Sequence, residues 1–210
     1  MLQRTEFAST GTDDVESEDR RFDQLSIALH WVTVLLIVIQ FASIWAHEAV
    51  GHQSNLAAQL LSLHRLAGSL TWFVTAARLV WRRYFAPAPA FPRSMPQFQQ
   101  IAAKANEYGL YVLLLTMPVT GLMRTLLRGK PFDLLFWHVP ALLQPNPDWR
   151  SVFADTHEIG ATLLMLLIAL HATAALFHHL ILRDGVLKRM LFRMPQQPKL
   201  APVLVKSEAE

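Results

Sequence analysis

The sequence contains no cysteine among its 210 residues. That absence excludes disulfides, thiolate metal sites, iron–sulfur clusters and haem attached through a C-x-x-C-H motif. Charged residues are also few: they make up 17% of the chain, whereas 52% of its residues are hydrophobic. The mean hydropathy is therefore positive, which is unusual for a soluble domain of this length. The composition indicates a protein that resides in a membrane.

Two stretches, residues 24–47 and 159–182, contain no Asp, Glu, Lys or Arg, and each is 24 residues long. A helix needs ~20 residues to cross the ~30 Å hydrocarbon core of a bilayer, so both stretches are long enough to cross. The segment before the first stretch mixes acidic with basic residues, which is atypical of a cleaved secretory signal. We therefore expect a retained membrane anchor.

Two further helices complete the predicted fold. We predict four transmembrane helices, over about residues 25–46, 60–81, 105–127 and 156–182. The second has the weakest signal, because Arg65 and Arg78 leave only a short uncharged run between them. A proline-rich linker at 86–96 and a long loop at 128–155 separate the later helices. The fold class is all-α, an integral membrane four-helix bundle over 22–193, flanked by a polar segment (1–21) and a C-terminal tail (194–210).

The distribution of basic residues predicts the orientation of the bundle. With both termini on one side, that side collects 14 of the 19 Lys and Arg residues. Positive charge is retained in the cytoplasm, so both termini are predicted to be cytoplasmic. The same topology explains a sequence pI near 9.5, and nothing else in the sequence indicates a nucleic-acid partner.

Four histidines fall within the predicted helices, where an ionisable side chain is costly and so a candidate for function. His30 lies near the start of the first helix and His64 near the start of the second, and His157 and His171 lie near the start and in the middle of the fourth. Because successive helices reverse direction, His30 and His171 should share the cytoplasmic half of the membrane. His64 and His157 should share the outer half.

The depths sort the four histidines into two pairs. His157 and His171 are 14 residues, or ~21 Å, apart along one helix, too far to share one metal ion whose bonds to imidazole are ~2 Å. Two imidazoles on opposing helices are what a six-coordinate haem iron requires. We therefore predict two non-covalently bound haems b: His30 and His171 ligate the inner iron, and His64 and His157 the outer. The alternative is that these histidines are hydrogen-bonded packing residues.

Arg65 and Arg78 are further candidates for haem binding. Arg78 lies 14 residues after His64 and so shares its face, at the depth of the inner pair. A guanidinium suits a haem propionate, although interfacial anchoring explains either arginine equally simply. The remaining histidines are predicted to be interfacial; they are His47, His52, His138, His178 and His179.

These residues occur in motifs that resemble the bacterial cytochrome b561 family. In chain order the motifs are RFDQLSIALHW (21–31), LHRLAG (63–68) with Arg78, MPVTG (117–121), THE (156–158), LHA (170–172) and HH (178–179). The resemblance covers about residues 21–193. It implies a four-helix inner-membrane cytochrome with two b haems at His30, His64, His157 and His171. In one departure, Glu107 stands where members often have a histidine one turn before the tyrosine, here Tyr111.

The resemblance implies electron exchange between a membrane quinone, such as ubiquinone, and a second partner at the outer face, including superoxide in some members. Three functional classes remain open. The preferred one is a quinone-linked oxidoreductase embedded in the lipid bilayer. The second is a haem-bearing electron-transfer subunit of a larger dehydrogenase or hydrogenase. The third is a non-redox transporter that uses the histidines as a metal path.

Overall fold

The computed structural model describes residues 21–51, 54–91, 95–183 and 186–191. Its architecture is four long helices, with a small hairpin between the third and the fourth. The helices are α1 (Gln24–Ala49), α2 (Asn55–Tyr84), α3 (Gln97–Leu126) and α4 (Pro147–Phe177). Of the predicted features, residues 1–20, His52 and the 194–210 tail lie outside the described residues. The all-α four-helix membrane fold is confirmed.

Three of the helices have a side-chain cap at their N-terminus. Asp23 accepts hydrogen bonds from the N–H groups of Leu25 and Ser26 at the start of α1, each 3.1 Å long. Ser54 and Asn146 cap α2 and α4 in the same way. These oxygens satisfy N–H groups that have no partner inside the helix. α3 follows Pro96 and has no side-chain cap.

α1 and α2 pack side by side in opposite directions. Three polar contacts join them from one end to the other: Trp81 Nε1 donates to Asp23 (3.0 Å), Gln40 Nε2 to Thr71 Oγ1 (2.7 Å), and His47 Nδ1 to the Ala57 carbonyl (2.8 Å). α3 and α4 form the second antiparallel pair. The two pairs together make the bundle.

The interior is lined mainly by small and hydroxyl side chains, and many large apolar side chains face outwards. Thr71, Thr75 and Ser26 are the largest of the fully buried side chains, whereas Leu35 and Phe73 are more than half exposed. Large apolar side chains on the outside would be unfavourable in water but are favourable in hydrocarbon. Small residues in the interior let the helices approach closely. The burial pattern is that of a membrane protein.

Three helical segments are long and apolar enough to cross a membrane: Gln24–Ala49, Gln97–Leu126 and Pro147–Leu182. α2, with 30 residues, is also long enough but is less apolar, in agreement with the weak signal predicted for it. Its Arg65 and Arg78 side chains face protein aromatic rings, Phe132 and Tyr111 respectively. The bundle thus shields the charges that reduce its hydropathy.

The segment between α3 and α4 differs from the prediction. A loop was expected over 128–155, but α4 already begins at Pro147, since Asn146 caps it and proline is favoured at the first helical position. The remainder contains a two-stranded antiparallel hairpin, β1 (Phe132–Leu134) and β2 (Trp137–Val139). α3 begins at Gln97 and α2 at Asn55, both earlier than expected. α4 continues into a π-helical turn over His178–Leu182.

Candidate functional site

The structure brings His30 of α1 and His171 of α4 together. Their ring centroids lie 6.3 Å apart, and the ring planes are inclined at 65°. His30 also has an edge-to-face contact with Trp31 at 5.6 Å. Trp31 in turn donates from Nε1 to the Met190 carbonyl, which links α1 to the segment after α4. The His30–His171 pair therefore lies near the end of the bundle where the described chain begins and ends.

His64 of α2 and His157 of α4 form a second pair with nearly the same geometry. Their ring centroids are again 6.3 Å apart, and the planes are inclined at 82°. The two pairs share α4, on which His157 precedes His171 by 14 residues, or ~21 Å of helical rise. The candidate site thus consists of two separate pairs of imidazoles at different depths.

The spacing within each pair fits two axial ligands of one metal. With iron–nitrogen bonds of ~2 Å on either side, and roughly 1 Å more from each nitrogen to its ring centre, the centroids lie about 6 Å apart. Direct packing of two imidazoles requires no such gap. Within the described residues, no three His, Asp or Glu side chains converge as a metal cluster would require. The residues present fit a bis-histidine haem at each pair.

Hydrogen bonds fix the ring orientation in the second pair. His64 Nδ1 lies 3.0 Å from the Gln40 carbonyl oxygen, and His157 Nδ1 lies 3.1 Å from that of Met117. A carbonyl oxygen can only accept, so each Nδ1 carries the proton and each Nε2 keeps its lone pair. This is the usual arrangement of a metal-ligating histidine. Sequence reasoning missed both acceptors, since a backbone carbonyl has no side-chain signature.

A glycine on α3 leaves room for His157. A Cβ atom added at Gly121 would lie 2.9 Å from His157 Cε1 and 3.2 Å from its Nδ1. Thr120, next to this glycine, places its Oγ1 3.1 Å from the same Nδ1. Gly160 of α4 is more tightly packed still, because a Cβ added there would clash with Met117 Sδ. These glycines allow α3 to lie directly against the face of α4 that carries His157.

Arg78 lies beside the first pair, within electrostatic reach of both His30 and His171. Its guanidinium lies over the Tyr111 ring, 5.5 Å from the centroid. Its Nε is buried without a hydrogen-bond partner, and within the described parts of the chain no carboxylate lies at ion-pair distance from it. A buried cation with an unused donor is suited to an anionic group of a ligand.

Glu107 takes part in a charged network close to Arg78. It forms an ion pair with Arg82 and accepts a hydrogen bond from Lys104 Nζ at 3.0 Å. Arg82 also donates to the Tyr111 hydroxyl at 3.1 Å. Glu107 thus joins α3 to α2 through Arg82, and sequence reasoning had assigned it no partner.

Arg65 packs on the hairpin and is also within electrostatic reach of His64. Its guanidinium lies over the Phe132 ring of β1, 5.4 Å from the centroid, and interacts electrostatically with Arg124, Arg128 and Asp133. The structure describes four other histidines, none of which belongs to either ring pair. His47 contacts the Ala57 carbonyl, His138 pairs with Asp133 at 2.8 Å, and His178 is buried in the π-helical turn with His179 following it.

Comparison with known proteins agrees with this arrangement. The family model described as prokaryotic cytochrome b561 matches residues 21–193. Cytochrome b561 homolog 1 of Escherichia coli (strain K12) is 31% identical over 173 residues, which cover 82% of this chain and 98% of that protein. Homolog 2 of the same organism is 28% identical, covering 81% and 91% of the respective chains. The probable superoxide oxidase CybB of Yersinia pestis is 25% identical, covering 82% and 96%.

The matched region contains all four helices and both histidine pairs. It covers more than half of the chain, and the first of these relatives aligns over nearly its whole length. The burial pattern is that of a membrane protein, and the spacing of the paired imidazoles is compatible with haem. The chain therefore belongs to the prokaryotic cytochrome b561 family of membrane electron-transfer proteins, whose cofactor is b-type haem.

Proposed function

We propose that the chain holds two haems b, one between His30 and His171 and the other between His64 and His157. The observation that carries this proposal is the equal 6.3 Å spacing of the rings in both pairs. When bound, the two haems supply one-electron carriers towards opposite faces of the bilayer. The Nε of Arg78, which has no hydrogen-bond partner, can donate to a propionate of the haem at His30 and His171. Arg65 contributes positive charge near the haem at His64 and His157.

The proposed reaction is electron exchange between a quinone and a second partner at the opposite face. Ubiquinone and superoxide are the proposed pair, and the name of the Yersinia pestis relative, a probable superoxide oxidase, supports the second. Two superoxide anions each give up one electron and become O₂. Ubiquinone takes both electrons with two protons and becomes ubiquinol.

Positive charge at one end of the bundle suits an anionic reactant. Arg124 and Arg128 are exposed at the end of α3, and both act on Arg65 beside the second histidine pair. These three arginines, whose charge Asp133 partly offsets, form a local positive cluster, which raises the concentration of small anions nearby and the rate at which they arrive. We place this end at the outer face of the bacterial inner membrane with both termini cytoplasmic, a topology supported by the distribution of Lys and Arg.

Haem content and ligand variants test the proposal. The purified chain should bind two haems b in a pyridine haemochrome assay. His30→Ala and His171→Ala should each remove the same haem, and His64→Ala and His157→Ala the other, because one imidazole cannot maintain low-spin coordination. The changes His138→Ala and His47→Ala are controls and should leave both haems in place. A colourless protein from haem-replete cells would contradict the proposal and favour a transporter.

Turnover distinguishes an oxidoreductase from a subunit of a larger complex. The chain, reconstituted alone with ubiquinone, should consume superoxide and form ubiquinol in a two-to-one ratio. A haem-loaded chain that forms no ubiquinol under these conditions would indicate that a soluble dehydrogenase or hydrogenase partner supplies its electrons.

A further inference from the structure

The hairpin between α3 and α4 exposes apolar side chains at its tip. The two turn residues are Leu135 and Phe136, and Trp137 begins β2. Phe136 is 90% exposed and Trp137 71% exposed, whereas Phe132 at the base of the hairpin is buried. The base therefore packs on the protein and the tip projects from it. The haem proposal does not involve these tip residues.

The base is attached to α2 at a defined position. Ser62 Oγ donates to the Asp133 carbonyl at 2.8 Å and accepts a hydrogen bond from the Leu135 N–H. One turn further along α2, the Arg65 guanidinium covers the Phe132 ring. A buried serine and an aromatic contact thus fix the height of the hairpin along α2.

That height places the tip at the edge of the hydrocarbon. α2 has 30 residues and is ~45 Å long, so with its centre at the middle of ~30 Å of hydrocarbon each end would extend about five residues beyond it. Ser62 is the eighth residue of α2 and therefore lies just inside the boundary. An exposed Phe136 at this height would meet lipid, as would the exposed apolar side chains of the helices.

The residue types in the turn also indicate that the tip contacts lipid. Leu135 has φ 52°, a left-handed conformation that glycine or asparagine adopts with less strain. In this hairpin the position is occupied by leucine, and Phe136 and Trp137 follow it. Tryptophan is enriched where hydrocarbon meets headgroups. Arg128 and Lys130, both exposed just before β1, are suited to lipid phosphates.

We propose that the hairpin tip inserts into the bilayer interface as a lipid anchor, with Leu135, Phe136 and Trp137 among the acyl chains and headgroups of phospholipid. Through Ser62, two residues before His64, the anchor holds this part of α2 at a fixed depth. The proposal stands independently of haem binding and of any reaction at the histidines.

Environment-sensitive labels test the proposal directly, since the chain has no native cysteine. The variant Phe136→Cys is labelled with a nitrobenzoxadiazole dye and reconstituted into phosphatidylcholine–phosphatidylglycerol vesicles, with Trp137→Cys as a second tip position. Asp148→Cys is the aqueous control, because it lies nine residues, or about 13 Å, before His157 on α4. Leu35→Cys, exposed in the middle of α1, is the lipid control. Elution as a single species in detergent confirms that each variant folds.

Insertion predicts that the Phe136→Cys label emits at shorter wavelength than the Asp148→Cys label. It also predicts quenching by nitroxide near the lipid headgroup and protection from aqueous iodide. The Leu35→Cys label should be quenched more strongly by a deep nitroxide. The proposal is overturned if both tip labels match the Asp148→Cys label in emission and in iodide quenching, a result that would leave the tip free for a protein partner.

Discussion

Arg78 places a positive charge beside the His30–His171 pair, and its Nε has no hydrogen-bond partner. In the interior of a bundle such a charge is costly unless a ligand compensates it. A positive charge near a haem iron disfavours the oxidised, more positive state. The Arg78 side chain should therefore raise the midpoint potential of the haem that we propose at this pair.

Replacing Arg78 by Leu should lower that potential by tens of millivolts, on the order expected for removal of one nearby charge, and leave the other haem nearly unchanged. Redox titration with optical detection measures both potentials. Arg78→Lys, which keeps the charge, should have a smaller effect, and Arg65→Leu should act mainly on the haem at His64. Equal shifts at both haems in Arg78→Leu, or none, would make Arg78 an ordinary anchoring residue.

At this scale the sequence predicted which histidines come together, because depth along antiparallel helices follows from residue number alone. It could not predict the Gln40 and Met117 carbonyls that orient His64 and His157. Their position depends on how the helices rotate about their axes. Nor did it predict that Arg65 packs on Phe132, because it did not predict the hairpin.

At the level of elements, the glycines of α3 determine how closely that helix approaches α4. Gly121 faces the His157 ring, whereas a Cβ at Gly109 would meet only the flexible end of Leu167, at 2.8 Å. The two positions lie on the same helix and contact the same neighbour. They therefore provide a matched comparison between crowding of a candidate ligand and crowding of an ordinary side chain.

Gly121→Val should displace the His157 ring and reduce occupancy of the haem at His64 and His157. Overpacking of this kind costs about 1–3 kcal/mol, enough to weaken haem binding severalfold. Gly109→Val should leave that haem in place, because Leu167 can adopt another rotamer. Haem per chain and thermal melting of both variants are the measurements. Equal haem loss in the two variants would mean that helix spacing alone, and not His157, is affected.

Two elements show the limits of prediction from the sequence. β1 and β2 have three residues each and are joined by Leu135 and Phe136, so the Asn-Gly signal of a tight hairpin is absent. The early start of α4 did have a signal, an asparagine followed by proline and aspartate at 146–148, but four prolines in the segment favoured a loop. The long apolar helices α1 and α4 were predicted because their length leaves few alternatives.

For the whole molecule, the proposed four crossings would place both termini on one side of the membrane. A single introduced cysteine can report which side of the membrane its position faces, because the chain has no native cysteine that would also be labelled. A cysteine at Lys130 or Asp148 in intact bacterial cells should react with a membrane-impermeant maleimide. A cysteine at Ser9 or Ser207 should react only after the cells are permeabilised. Labelling of Ser9→Cys and Ser207→Cys in intact cells would reverse the proposed orientation, and labelling of only one would indicate an odd number of crossings.

α4 contributes one member to each histidine pair, whereas α1 and α2 contribute one histidine each. The interval between the two pairs is therefore set by 14 residues of one continuous helix, through covalent geometry and its internal hydrogen bonds. Electron tunnelling slows steeply with distance, so any rate between the two centres depends on this interval. Sequence changes that loosen the contacts of α1 or α2 with α4 can release a ligand, but they leave the interval between His157 and His171 as it is.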